Sequence, residues 1–484
     1  MSRKTITRRD FMRLGAGVSA SAVLAACQPN APATQAPAPT SAPAQPTEAT
    51  APPTTAPAEP VATPSGATAQ GFQGTLEFWD WEYTPRTDYI LGMVKEFDDL
   101  HPGVTLKYNP LPWTDIETKL LTVATAGSGP AFSNIHFFWR YDLQRAGVLA
   151  PYPDYMFDWN KLLSTPFNRD PETGKVYTSD FAFYCDMVFF NQELMAKDGI
   201  KPEQIPAKWD DFILMAQQLT KKDASGKIIQ SGCTLNDYWA REWLFHTLVY
   251  QQGGWMYNED GTKALWNEEP GVRALQMMQD WYHKYQLDDP QGLAEGDAFG
   301  NEKAVMYIDQ GYTAPGINTT FPQMQGKWST TTTPTFNGKS LPTWGMALPE
   351  EGYGVFSTFP PEAQEMAFQY IQYMLASDDR RLDWAILMQG PPDRLDLLDN
   401  ARLLEGDKEK VIASQAKTMP YRVIYGERPL EAEKFWRAMF DEAILNKADV
   451  KATLDSATEQ MNTALASSGK KRYIVERAYK PPSS

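Results

Sequence analysis

The chain has 484 residues and a formal net charge of −15, from 45 basic and 60 acidic side chains. So acidic a surface argues against nucleic acid and against adsorption to anionic lipid. The length suits two domains, and 15 tryptophans with 22 tyrosines fit an aromatic binding surface or large cores.

Arg3, Lys4, Arg8, Arg9 and Arg13 precede a short apolar stretch, 14–26. A basic head before such a stretch reads as a secretory signal, too short and too rich in Gly and Ser to span a bilayer. Thr7-Arg8-Arg9-Asp10-Phe11-Met12-Arg13 looks like a twin-arginine address. Leu24-Ala25-Ala26-Cys27 resembles a lipobox, which makes the Cys27 thiol the expected site of lipidation. Without residues 1–26, which carry five basic side chains and one acidic, the net charge is −19. Residues 28–70 are almost only Pro, Ala, Thr, Ser and Gln, with no aromatic ring. Such a segment cannot bury a core and reads as an extended spacer, reaching on the order of 100 Å at ~3.1 Å per residue.

The ordered pattern begins near Gly71. A strand is expected over 75–81, then a helix capped by Thr84 with Pro85 in its first turn. Ile90, Met93, Val94 and Phe97 share its apolar face, and His101-Pro102-Gly103 stops it. Strands are expected at 104–108 and 134–138, and helices at 115–126 and 142–146. Strand alternating with helix implies a parallel sheet covered on both faces. The β-rich run 176–191 is too long for one buried strand and suits a pair of strands passing between domains. Helices then dominate: 209–220, 239–252, 272–285, 361–377, 431–446 and 450–466.

The four histidines, His101, His136, His246 and His283, lack metal-ligand spacing. No Gly-x-Ser-x-Gly elbow or Gly-x-Gly-x-x-Gly loop occurs, and no cofactor is expected. Asn337-Gly338-Lys339-Ser340 has Thr333 at the upstream glycine position of a phosphate loop, so it reads as a surface turn. Asn258-Glu259-Asp260-Gly261 reads as a hairpin turn rather than a calcium loop. Cys185 and Cys233 form a disulfide or remain two buried thiols.

Aromatic residues cluster where strands should end: Trp79, Trp81 and Tyr83; Trp139 and Tyr141; Trp255 and Tyr257 after Gly253-Gly254; Tyr312 after Asp309-Gln310-Gly311. Asp80, Glu82, Arg140 and Asp142 share these loops. Ligands on open α/β sheets bind at the carboxyl ends of strands. Flat rings beside charged groups suit a sugar, whose C–H face stacks while its hydroxyls hydrogen-bond. Covering ~100 Å² of an indole is worth ~2.5 kcal/mol. Core packing is the competing reading for each ring.

From Leu76 to Leu465 the order of segments resembles the extracellular solute-binding proteins of ABC importers, family 1. The carrying stretches include Leu76-Glu77-Phe78-Trp79-Asp80-Trp81, Phe97 through His101-Pro102-Gly103-Val104, and Ala124-Thr125-Ala126-Gly127-Ser128-Gly129-Pro130. Phe189-Phe190-Asn191-Gln192-Glu193-Leu194, Asn301-Glu302-Lys303-Ala304-Val305-Met306 and Gly352-Tyr353-Gly354-Val355-Phe356 follow at family spacing. The chain departs from the proline and aspartate usual after the Gly-Ser-Gly turn, since Pro130 is followed by Ala131-Phe132-Ser133-Asn134, and from the usual lysine at Gln192.

The resemblance implies a type II periplasmic-binding-protein fold: two α/β lobes, hinge segments and a cleft between them. Lobe 1 would be 71–183 plus 335–378, and lobe 2 would be 184–334 plus 379–484, with crossings in 176–191, near 328–336 and after Ser377. Asp80, Trp81, Glu82, Trp139, Arg140, Tyr141, Trp255, Tyr312 and Trp436 would contact the ligand. The implied function is capture of a saccharide and its delivery to a membrane permease with a cytoplasmic ATPase, without catalysis, by a monomer tethered through Cys27 at the cell envelope. A non-sugar solute, a surface carbohydrate-active enzyme, and a sensor or adhesin are the alternatives.

Overall fold

The computed structural model describes residues 72–126, 128–136, 140–170, 172–339, 345–350, 352–424, 431–468 and 477–478. They fall within one compact unit, Ala67–Ser484. The signal, Cys27, the spacer and Trp139 lie outside the described residues.

β1 (Gly74–Trp81) alternates as the period of a strand requires, with Leu76, Phe78 and Asp80 pointing inward. It pairs in parallel with β2 (Val104–Leu111) on one side and β3 (Phe132–Ile135) on the other. β10 (Gly352–Val355) closes the edge antiparallel to β3. Helix Thr84–Leu100 lays Ile90, Met93, Val94 and Phe97 on this sheet. Its N-cap is Tyr83, not Thr84, and no side chain caps it; Pro85 supplies the first turn. Phe78 stacks on Phe132 at 4.7 Å, with Tyr353 and Tyr370 against them.

The second sheet is mixed, and β4 (Phe183–Asn191) is its axis. β5 (Lys221–Lys222) and β6 (Ile228–Thr234) lie to one side, with β6 parallel to β7 (Ala304–Gln310). β7 and β8 (Trp328–Thr332) both pair antiparallel with the second half of β4. The first half of β4 pairs with β9 (Gly345–Pro349), which is joined by β11 (Arg422–Ile424) and β12 (Arg477–Ala478). One strand thus serves two sets of neighbours, which explains the long β-rich run. All nine residues of β4 are buried, Asp186 and Asn191 included, as in a strand covered on both faces.

The ladder from Met187–Thr332 to Asn191–Trp328 keeps β8 in the second sheet, and the chain passes back through β9 into β10. Trp384 and Met388 of helix Asp378–Met388 belong to the first core, so the chain leaves at Gln389-Gly390-Pro391-Pro392, where Ala182 bridges Pro392. Gly390 is required there, because a Cβ would sit 2.5 Å from the Tyr184 ring.

Seven tryptophans are buried among the described residues: Trp209, Trp243, Trp266, Trp281, Trp328, Trp384 and Trp436. Much of the tryptophan content therefore builds cores. Cys185 and Cys233 are free and buried. The 258–261 turn forms the expected hairpin, with Tyr257 bridged to Ala264 and Gly261 at φ 68°. Among the described residues no helix is long and apolar enough to cross a membrane.

Candidate functional site

The carboxyl end of β1 presents an aromatic wall. Trp81 is half-buried and stacks on Tyr83 at 4.8 Å; Trp113 meets its edge at 5.9 Å, and His136 follows at 4.8 Å from Trp113. The Arg86 guanidinium lies 4.2 Å from the centre of the Trp81 ring. Such a desolvated cation–ring contact is worth up to about 2 kcal/mol and fixes the plane of the indole.

Asp80 holds that arginine in place. It is fully buried, ion-paired with Arg86, and accepts from the Tyr353 hydroxyl at 2.9 Å and the Trp81 N–H at 2.9 Å. The sequence placed Asp80 among the ligand contacts. In the structure its carboxylate is buried against Arg86 and Tyr353. Glu82, next along, is exposed.

The opposite wall belongs to the second lobe. Tyr312 sits just past the end of β7, edge-on to Tyr184 at 5.8 Å. The Tyr83 hydroxyl donates to the Tyr312 carbonyl at 3.0 Å, so the two lobes touch where the two walls meet. Burial pushes the Tyr83 phenol above its ordinary range, which keeps it a neutral donor. Trp255 stands on the same lobe, 37% exposed, with its ring 6.0 Å from Tyr250. Gly253 takes a left-handed φ of 75° to make the turn, and Gly254 packs so close to Pro270 that a Cβ would lie 2.7 Å away.

Arg140 and Tyr141 are buried and face inward. Arg140 bonds Asn168 and the Tyr141 hydroxyl (3.0 Å) and lies 3.8 Å from Asp180. Tyr141 donates to the Phe167 carbonyl at 3.1 Å. These contacts tie the turn to Asn168, Phe167 and Asp180. Trp436 is in the core of the second lobe, 4.8 Å from Trp266 and 4.9 Å from His246, with no exposed face. The structure thus brings Trp81 and Tyr312 to the junction of the lobes, leaves Trp255 exposed on the second, and buries Asp80, Arg140, Tyr141 and Trp436.

Trp113, Tyr83 and His136 complete the wall and were not among the expected contacts. Trp113 could have been found, because it follows the second strand as Trp81 follows the first. Arg394, by contrast, is engaged in ion pairs with Asp378 (3.1 Å) and Asp396 (2.6 Å). An open groove of about 800 Å³ runs along helix Val450–Ser468. Its Asn462 and Asp455 accept from the Ala264 N–H and Asn267, pinning the 257–264 hairpin to that helix. Among the described residues no group of side chains is arranged to hold a metal ion.

The described residues thus form two α/β lobes with aromatic side chains at their junction. The profile of the bacterial extracellular solute-binding proteins matches residues 82–380, more than half of the chain. The chain belongs to that family. A putative binding protein of Brucella abortus is 28% identical over 187 residues, which is 38% of this chain and 44% of that protein. The chain therefore spans less than half the length of that relative. The arabinooligosaccharide-binding protein of Bacillus subtilis is 23% identical over 366 residues, covering 71% of this chain and 79% of its own. The maltodextrin-binding domain of Bdellovibrio bacteriovorus, bound to maltotriose, superposes with a TM-score of 0.67 at 15% identity, over 81% of this chain and all of that one.

Proposed function

We propose that the protein captures a saccharide between its lobes and delivers it to the permease of an ABC importer, without transforming it. The observation that carries this reading is the aromatic wall Trp81–Tyr83–Trp113, set at strand ends and facing Tyr312 across the lobe junction. Rings so placed offer a sugar its C–H face, and a few such contacts with hydrogen bonds reach the roughly −8 kcal/mol of micromolar binding. The sugar-binding relatives in Bacillus and Bdellovibrio support it.

The protein acts as a monomer at the outer face of the membrane. Lipid on Cys27 and the 28–70 spacer hold it at high effective concentration near the permease. Lobe rotation about β4, β9 and the 389–393 segment closes the cleft, driven by contacts the solute makes with both lobes. Asp80, Arg140 and Tyr141 serve by holding the loops, while Trp81, Glu82, Trp139, Trp255 and Tyr312 reach the sugar.

Titration calorimetry against arabinotriose, maltotriose and a panel of monosaccharides and polyols tests this. Saccharide binding is expected. Binding of polyols or peptides alone would refute the saccharide, and oligosaccharide cleavage seen by mass spectrometry would refute a pure receptor.

A further inference from the structure

Where the two lobes meet, three backbone segments run side by side. The first half of β4 pairs with β9, from Phe183–Pro349 to Cys185–Ala347. Ala182 also bridges Pro392, and the Phe183 N–H donates to the Pro391 carbonyl at 2.9 Å. Side chains of the second lobe fasten one end of all three segments. Gln415, on helix Val411–Thr418, is buried. Its Oε1 accepts from the Cys185 N–H at 2.9 Å, and its Nε2 donates to the Gln389 carbonyl at 2.8 Å. One amide, which carries both an acceptor and a donor, thus holds the first segment and the third.

Cys185 is where β4 changes neighbours: its own partner, Ala347, lies in β9, and the next pair, Asp186–Gln310, joins β4 to β7. The chain leaves β7 at Gly311, where a Cβ would lie 2.7 Å from the Gln415 Cδ, so the same amide also packs on the turn into Tyr312. Met346 of β9 is held in the same way. Its N–H donates to the Thr247 hydroxyl at 3.1 Å, and Arg422 donates to its carbonyl at 3.2 Å and to the Asp186 carbonyl at 2.9 Å. The opposite ends are fastened to the first lobe. The Asp393 N–H donates to the Phe181 carbonyl at 3.2 Å, and the Ser164 N–H to Asp393 Oδ1 at 2.8 Å. Glu350 accepts from the Trp384 indole of the first core at 2.7 Å, and its N–H donates to the Ala182 carbonyl at 2.8 Å. Between the two sets of fastenings lie 182–184, 347–349 and 390–392. Buried peptide groups keep their partners, so a rotation of the lobes falls on the few residues between fixed ends.

We infer that Gln415 is a positioning residue: its amide pins the first and third segments to the second lobe, confines lobe rotation to 182–184, 347–349 and 390–392, and so fixes the angle at which the unliganded lobes rest. The inference rests on the lobe rotation proposed above, not on the identity of the solute.

Gln415→Leu tests it. Leucine fills most of the same space and makes neither bond, which leaves the Cys185 N–H and the Gln389 carbonyl without their partner. Spin labels at Lys95→Cys on the first lobe and Lys284→Cys on the second, both exposed, report the distance between the lobes in a Cys27→Ser background. That ligand-free parent should give one narrow distance distribution. Gln415→Leu should shift it by several ångströms or make it about twice as wide, because the segments are then free to bend beyond the three stretches. Met278→Ala, which opens a cavity in the second-lobe core, should lower the melting temperature and leave the distribution as it is.

A Gln415→Leu distribution identical to the parent's overturns the inference whatever its melting temperature, since a packing role alone would lower only stability. A change in Met278→Ala as large as in Gln415→Leu overturns it too, because any loss of stability would then loosen the lobes. Should Gln415→Leu fail to fold, Gly311→Ala drives a methyl against the same amide and is measured instead; an unchanged distribution overturns the inference equally. Arabinotriose and maltotriose, added to the parent, separate the two readings. Sugar that shortens the distance in the parent, with the variant unchanged, overturns the pin and leaves saccharide capture. A broadened variant, with neither sugar bound by the parent, overturns the saccharide and leaves the pin.

Discussion

Trp255→Ala separates ligand platform from core most directly. The residue is 37% exposed and rests against Tyr250 across a 6.0 Å ring separation. A tryptophan offers up to ~250 Å², so about 90 Å² of this indole faces solvent. At ~25 cal/mol per Å², a pyranose covering that face gains about 2 kcal/mol, or roughly a 30-fold change in Kd. The ring is partly exposed and the neighbouring Gly253 turn does not depend on it, so truncation should cost little stability. Calorimetry with arabinotriose and maltotriose, paired with thermal melts of the free protein, reads both quantities. A large fall in melting temperature with unchanged affinity would make Trp255 a packing residue and refute the assignment.

Trp436→Ala should behave oppositely. It empties the space between Trp266 and His246 and should cost about 3–5 kcal/mol in urea unfolding; a stable variant that has lost only sugar affinity would put Trp436 in the cleft. Tyr83→Phe removes the 3.0 Å bond to the Tyr312 carbonyl, and should raise Kd by up to about tenfold, since one such bond is worth about 0.5–1.5 kcal/mol. Small-angle scattering should show the variant more open, and identical profiles and affinities would discount the contact. Cys185 and Cys233 should resist a thiol reagent in a Cys27→Ser background, because both are buried and burial pushes the Cys185 thiol up to about 11. Fast titration of two thiols in the native protein would contradict that burial.

The first lobe was legible because its elements are local. β1, the helix Thr84–Leu100 and β2 follow one another with clear periodicity, and His101-Pro102-Gly103 breaks them where the structure does. The crossings were legible only in part. Residues 176–191 announced a long β segment, but which strands pair with each half of β4 depends on residues over a hundred positions away.

The same division runs through the candidate site. From the chain alone came the family, the strand-end loops and the aromatic residue types that favour a sugar. Side-chain direction and burial came only with the tertiary structure. Asp80 and Trp81 are neighbours in sequence, yet alternation in a strand sends one carboxylate into the core to meet Arg86 and leaves the indole at the lobe junction. Trp255 and Trp436 look alike in sequence, and only packing against distant helices exposes one and buries the other. Asp180 and Asp393 lie more than two hundred residues apart. The two segments that carry them are laddered together, with the Phe183 N–H on the Pro391 carbonyl, which no local pattern records.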